Sequence, residues 1–192
     1  MSIGDPTMSL ARSLGTYGAA GAVLIGACAP AVTECAPVAA PPTTTVAPAP
    51  ATGPVVALEA RPVQPPCTFI DTWGAARDAG RVHEGTDIMA AEGQQLYAVA
   101  AGTITKVYDV TSSPRTGNGL IITKDDKTYF FYGHMSALAP GITVGAKVLA
   151  GQLVGYVGHT GNTTVSHLHL EIHPGGGAPI NPYPTLLQYG AC

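Results

Sequence analysis

Charge is scarce in this chain of 192 residues. Charged side chains make up 11%, with nine Lys and Arg and a formal net charge of -3. No basic run or patch stands out, which excludes partners bound through phosphate neutralisation, whether nucleic acid or an anionic membrane surface. Long apolar runs are also missing. The longest small and apolar stretch, from Leu14 to Ala27, falls short of the ~20 residues that a spanning helix needs. Aromatic residues are few (6%), and no segment shows the 3.6-residue period of an amphipathic helix.

The composition is uneven. Residues 1–28 read as an export signal: one basic residue, Arg12, precedes the apolar run, and Met8 would open a more compact basic region than Met1. The signal ends Ile25-Gly26-Ala27-Cys28. This is similar to a bacterial lipobox, in which Cys28 would carry the only membrane anchor, and it equally fits an ordinary leader cleaved at Ala27 or Ala29 with Cys28 and Cys35 oxidised together. Residues 29–66 form a Pro/Ala/Thr-rich linker, including Ala40-Pro-Pro-Thr-Thr-Thr-Val-Ala-Pro-Ala-Pro50. It is too poor in large apolar residues to build a core, and stiff enough to reach on the order of 120 Å if extended at ~3.1 Å per residue. An exported protein, in the cell envelope or outside it and acting as a monomer, is expected.

Residues 67–192 carry the pattern of a folded domain. Short alternating segments at 86–90, 95–99, 102–110, 118–124, 128–134, 142–149, 152–158 and 166–173 are separated by glycine and turn residues, which predicts an all-β domain. Asp125-Asp126-Lys127 reads as a hairpin turn. Cys67 opens the domain and Cys192 is the last residue; in an oxidising compartment the two are expected to form a disulfide, although the sequence alone does not fix connectivity and leaves pairing with Cys28 or Cys35 open. On the chain-entropy view a loop of that size stabilises by up to ~4 to 5 kcal/mol.

In the last strand, Val165-Ser166-His167-Leu168-His169-Leu170-Glu171-Ile172-His173, Leu168, Leu170 and Ile172 face one way and the polar residues the other. His167 and His169 stand about 6.6 to 7 Å apart at ~3.3 Å per residue, so both rings can converge on one ion or substrate. A second cluster is Arg81-Val82-His83-Glu84-Gly85-Thr86-Asp87. His83 and Asp87 would be ~13 Å apart on a straight strand, so a turn at Gly85 is expected to bring both to one ion. Glu84 reads as a surface carboxylate. The glycine-punctuated run from Gly141 to Gly158 also fits a lipoyl or biotinyl carrier domain, but Lys147 lies within an alternating strand and no Met stands beside it.

Taken together, these motifs resemble the lysostaphin-type, LytM-like zinc metallopeptidases that cleave peptidoglycan. The resemblance rests on Gly80 to Asp87, Tyr97 to Ile104, Tyr132-Gly133-His134-Met135, Gly145 to Gly158, Thr160-Gly161-Asn162 and Ser166 to Glu171, in that order. Trp73-Gly74-x-x-Arg77-x-x-x-Arg81 is similar to the actinobacterial branch, which by association would imply a D-alanyl to diaminopimelate bond. The resemblance implies a compact antiparallel sandwich or barrel-like domain and a Zn2+ cofactor held by His83, Asp87 and His169. It also implies a catalytic pair, His134 and His167, and peptidoglycan as substrate. Three protein ligands leave zinc a fourth position for water, as catalytic sites require. One neighbouring His can then take the water's proton while another, protonated, stabilises the oxyanion; the sequence leaves these roles unassigned between His134 and His167. Glu171 is a candidate to orient a ligand ring. Asn162 and Tyr132 are candidates to line the cleft, and His159 and His173 are expected to be solvated. A wall-binding or hydrolase-activating module of the same fold is the rival function, against which the five intact positions count.

Overall fold

The computed structural model describes residues 53–192; the export signal, Cys28, Cys35 and the linker up to residue 52 lie outside the described residues. Among the described residues, ten strands and one α-helix follow in chain order, besides two single 3-10 turns (Asp78–Gly80 and Pro174–Gly176): β1 (Thr68–Phe69), β2 (Thr86–Met89), β3 (Gln95–Tyr97), β4 (Gly102–Tyr108), β5 (Asn118–Thr123), β6 (Tyr129–Met135), β7 (Ala137–Leu138), β8 (Lys147–Val148), β9 (Leu153–Tyr156), β10 (His167–His173) and α1 (Tyr183–Tyr189). A seven-stranded sheet runs β1-β2-β10-β6-β5-β4-β8 and a three-stranded sheet β3-β9-β7. Every pairing is antiparallel. The all-β reading therefore holds.

The inward residues of both sheets share one core, in which Ile88, Leu120, Phe130, Leu168, Leu170 and Ile172 from the large sheet meet Leu96 and Val154 from the small one. Alternation along β10 sends its three aliphatic side chains to that core and leaves the histidines on the other face. That face is not wet throughout, as His167 and His173 are nearly as buried as the core. The β5–β6 hairpin turns where expected, with Lys127 at φ 70 and its N–H on the Lys124 carbonyl at 3.1 Å.

Several expectations need correction. Segments 142–149 and 152–158 contract to the two residues of β8 and the four of β9; in the first, Gly145 adopts positive φ and interrupts the extended run. β1 and β7 are two residues each, too short for alternation to reveal. Helix α1 was not predicted; its seven residues span too few turns to display a period. It has Pro184 in its first turn and ends at Gly190 in the left-handed region, so its signals are those of caps. The folded part also begins before residue 67. Val63 is fully buried and bridges Leu96, Gln64 bonds the Gln95 carbonyl, and the Val56 N–H reaches Thr185 Oγ1. The few aliphatic residues at the end of the Pro-rich stretch are what dock it. Cys67 and Cys192 are joined by a disulfide, their Cα atoms 5.2 Å apart, so this segment, the start of the sheet and the end of the chain are tied together.

Candidate metal and catalytic site

β10 lies between β2 and β6, and its register decides the site. His169 is opposite Asp87 on β2 and opposite Gly133 on β6. His169 and Asp87 are thus direct cross-strand neighbours, and His134 follows one residue after the other partner. His83 reaches the same point from the segment ahead of β2, which is held to its neighbours by Gly74 N–H to His83 carbonyl and His83 N–H to Ala75 carbonyl bonds, both 2.9 Å.

The chain does bend at Gly85, but the glycine is needed for space. A Cβ there would lie 2.6 Å from the Leu170 carbonyl oxygen and 2.7 Å from His169 Cε1. The backbone leading into β2 passes directly beside the His169 ring, and only a residue without a side chain fits.

Donor atoms of His83, Asp87 and His169 form a group able to hold a metal ion. His83 Nε2, Asp87 Oδ1 and His169 Nδ1 are 2.9 to 3.0 Å from one another, near the spacing of donors around a first-row ion with ~2.0–2.1 Å bonds. The opposite ends of both rings are fixed. His83 Nδ1–H donates to the Thr72 carbonyl at 3.0 Å and His169 Nε2–H to Glu171 Oε1 at 2.9 Å, so the lone pairs point inward. Asp87 Oδ2 accepts from Arg77 Nη2 at 2.8 Å. Three electron-rich atoms are therefore aimed at one point, an arrangement that needs a cation or a proton at its centre. Two nitrogens and one oxygen with an open side suit a zinc ion.

Without metal, a proton does that work. Burial alone would raise the Asp87 carboxyl, but hydrogen bonds with His169 and His83 outweigh it and hold it far below the usual carboxylate range. Burial disfavours a charged His169 ring, but its bonds to Asp87 and Glu171 raise it well above an ordinary histidine. These bonds favour a protonated His169 in the metal-free protein, a proton that an ion held at this point would displace. Zinc binding is expected to release about one proton and to weaken as pH falls; calorimetry in two buffers of different ionisation enthalpy checks the count, and zero release would show His169 neutral beforehand. The raised His169 stabilises the metal-free fold below its unfolded pKa, and that contribution fades as pH rises through the folded value.

His134 and His167 stand side by side, ring centroids 4.9 Å apart. His134 Nδ1–H donates to the Thr160 carbonyl at 2.8 Å and His167 Nδ1–H to the Val165 carbonyl at 2.9 Å. Each ring therefore presents Nε2 as an acceptor, and His167 Nε2 is 3.6 Å from Asp87 Oδ1. Burial lowers His134 to about 4 and also lowers His167, so both are neutral at pH 7. Their share of stability is complete above the unfolded value near 6.5 and is lost as pH falls through the folded ones. His134 occupies the left-handed region at φ 64, held by its N–H on the Thr116 carbonyl at 3.0 Å. That is a strained conformation for a residue with a Cβ, tolerated at the end of β6 where it aims the ring.

These groups share one cleft of about 970 Å³, lined also by residues 76–78, 81–84, 115–116 and 161–165. Asn162 lines it, as expected, and Glu84 is an exposed wall residue. Tyr132 does not line it. The ring is fully buried in the core, its hydroxyl donating to the Tyr97 carbonyl at 2.9 Å and accepting from the Val99 N–H at 3.0 Å, because its place in β6 alternates inward. His173 is not solvated either: it stacks on Tyr129 at 4.1 Å, and Nε2 donates to Glu171 Oε2 at 2.8 Å. His159 is exposed beside Glu92. Arg77, Thr72, Thr160 and Val165 had no role from sequence; three act through backbone carbonyls, which leave no mark on residue type.

The profile described as peptidase family M23 matches residues 81–182. The chain belongs to this family. Among its curated relatives is the L-Ala--D-Glu endopeptidase of Bacillus subtilis (strain 168), 31% identical over 65% of this chain and 41% of that protein. Another, the peptidoglycan DD-endopeptidase ShyA of Vibrio cholerae, is 31% identical over 52% of this chain and 22% of its own length. The chain thus spans less than half the length of these M23 relatives. Among solved structures, a zinc-containing peptidase from Vibrio cholerae superposes with a TM-score of 0.53 at 27% identity, covering 65% of this chain and 39% of that one.

Proposed function

We propose that this M23 chain is a zinc-dependent endopeptidase that hydrolyses peptide bonds of bacterial peptidoglycan. The observation that carries the reading is the convergence of His83, Asp87 and His169 on one point beside two neutral histidines whose free nitrogens face the same cleft. The names of the relatives from Bacillus subtilis and Vibrio cholerae support a cell-wall substrate.

In this reading His83, Asp87 and His169 hold the ion. Zinc, when bound, supplies Lewis acidity toward a peptide carbonyl and makes water more acidic. The remaining work belongs to the chain. Since Thr160 and Val165 occupy both Nδ1–H groups, neither ring can donate from Nε2 until it gains a proton. Whichever of His134 and His167 receives the proton of the attacking water becomes the donor that steadies the oxyanion and protonates the departing amine. A donor already charged before attack, which the sequence allowed, fits poorly with two rings whose pKa values burial lowers. Arg77 and Glu171 keep Asp87 and His169 in place. The rival, a module that binds wall or activates another hydrolase, would have no use for that set.

Digestion of isolated wall material with the purified protein, read by mass spectrometry of the muropeptides, is expected to yield new amine and carboxyl termini within the peptides. Chelation should stop the release and zinc restore it. A folded, zinc-loaded protein that releases nothing would leave the binding module. Action in the envelope or outside the cell belongs to the same proposal, with residues 1–28 as export signal. Fractionation of wild-type and Cys28→Ala cells distinguishes a lipid anchor, where the variant moves from membrane to medium, from an ordinary leader.

A further inference from the structure

Basic residues are rare in this chain, yet they are not scattered. The described residues include four arginines, and three of them, Arg77, Arg81 and Arg115, line the cleft that holds the histidines; the fourth, Arg61, lines a separate smaller pocket, and all four lysines, Lys106, Lys124, Lys127 and Lys147, lie outside both. Guanidinium is the group that matches a carboxylate with two parallel donors, whereas ammonium is a more strongly hydrated point charge.

Internal pairing does not account for all three. Arg77 is engaged with Asp87. Neither Arg81 nor Arg115 forms an ion pair among the described residues. Arg81 Nε is moreover buried without a hydrogen-bond partner, and a buried donor of this kind calls for an acceptor. The acidic residues of the cleft are Asp78, Glu84, Asp87 and Glu171. Asp87 is committed to the metal point and Arg77, and Glu171 to His169 and His173. Asp78 and Glu84 are exposed on the same segment as Arg81 but pair with neither free arginine.

The two unpaired arginines also come from different segments. Arg81 belongs to the segment entering β2. Arg115 belongs to the connection entering β5, where its carbonyl accepts from the Asn162 N–H at 2.9 Å. In the large sheet β2 and β5 lie on opposite sides of β10 and β6, the strands that carry His169 and His134.

We infer that the cleft takes an acidic peptide, with Arg81 and Arg115 receiving substrate carboxylates on either side of the bond to be cut. The inference rests on the reading of the cleft as a peptidase site and adds its substrate class: peptides bearing free carboxylates, in preference to neutral bridges such as oligoglycine.

The test uses the full chain and two synthetic cross-linked peptides, identical except that the side-chain and terminal carboxylates of one are amidated. Binding is measured on chelated protein, where neither turnover nor carboxylate contact with zinc contributes, and cleavage on zinc-loaded protein. The acidic peptide is expected to bind at least about tenfold more tightly, the worth of one charge-assisted bond. That preference should shrink toward unity in Arg81→Gln/Arg115→Gln, survive in part in Arg81→Lys/Arg115→Lys, and persist in Lys124→Gln; circular dichroism confirms the fold of each. Equal affinity for both peptides, or a preference that the double Gln variant keeps, would overturn the inference. The two claims fail separately. Cleavage of both peptides without preference leaves the peptidase reading standing and removes this one, while selective binding without cleavage does the reverse.

Discussion

His169→Ala is expected to give a protein without zinc, whereas His167→Ala and His134→Ala keep stoichiometric zinc and lose turnover by about 10²-fold to 10⁴-fold, the range for a positioned acid or base. The two members of the His167 and His169 pair sit on one face of one strand, but they end differently. His169 turns Nδ1 to Asp87 and His83 and is locked from behind by Glu171. His167 is fastened to the Val165 carbonyl and leaves Nε2 open to the cleft. Removing one of three donors leaves His83 and Asp87 alone, too few to retain the ion at ordinary concentrations. Zinc by mass spectrometry and wall lysis by turbidity, on all three variants, read the two effects separately. Zinc lost from His167→Ala and kept by His169→Ala would reverse the roles.

A single methyl group should do nearly as much damage. In Gly85→Ala the new Cβ meets the Leu170 carbonyl oxygen at 2.6 Å and the His169 ring at 2.7 Å. The carbonyl belongs to β10, which is paired on both sides by β2 and β6, and has little room to yield. Either the segment bearing His83 lifts away or the His169 ring turns from its bond with Glu171, and each breaks the triangle of donors. Zinc affinity is expected to fall by at least about 10-fold to 100-fold, the effect of losing the support behind a ligand, with a lower melting temperature in the metal-free protein as well. Competition with a chromophoric chelator measures the first and calorimetry the second. Wild-type affinity in Gly85→Ala would mean that the strand can open at no cost. The comparison variant is Gly93→Ala, where no atom lies within 4 Å of the new Cβ but φ is +83; it should lose stability and retain zinc.

The legible part of this molecule was the part written in residue types. Alternation in 166–173 marked the strand that carries His167 and His169, and the resemblance to zinc metallopeptidases singled out His83, Asp87 and His169, whose donor atoms the fold brings together. Similar reasoning failed wherever the structural cause was a backbone atom or a tertiary neighbour. Nothing in the identity of Thr160 or Val165 announces that their carbonyls set the tautomers of two histidines. Tyr132 and His173 show the other limit. Both carry polar groups beside functional residues, but strand parity sends the first into the core and the fold of 174–177 covers the second, whose Nδ1 meets the Gly177 carbonyl at 3.0 Å. Gly85 lies between these cases: the sequence marked it as special, and only the packing against His169 says why.

The order of strands has a consequence for how the protein comes into being. β2 and β6 are made early and do not touch each other; the strand that joins them, β10, is the last of the ten. Pairings so distant along the chain form slowly, because a long loop must close before any contact rewards it. Until residue 169 has been delivered, the earlier histidine and aspartate have no third partner and the large sheet has no middle. For a chain emerging from its N terminus, completion of the large sheet and the meeting of His83, Asp87 and His169 are therefore one late event.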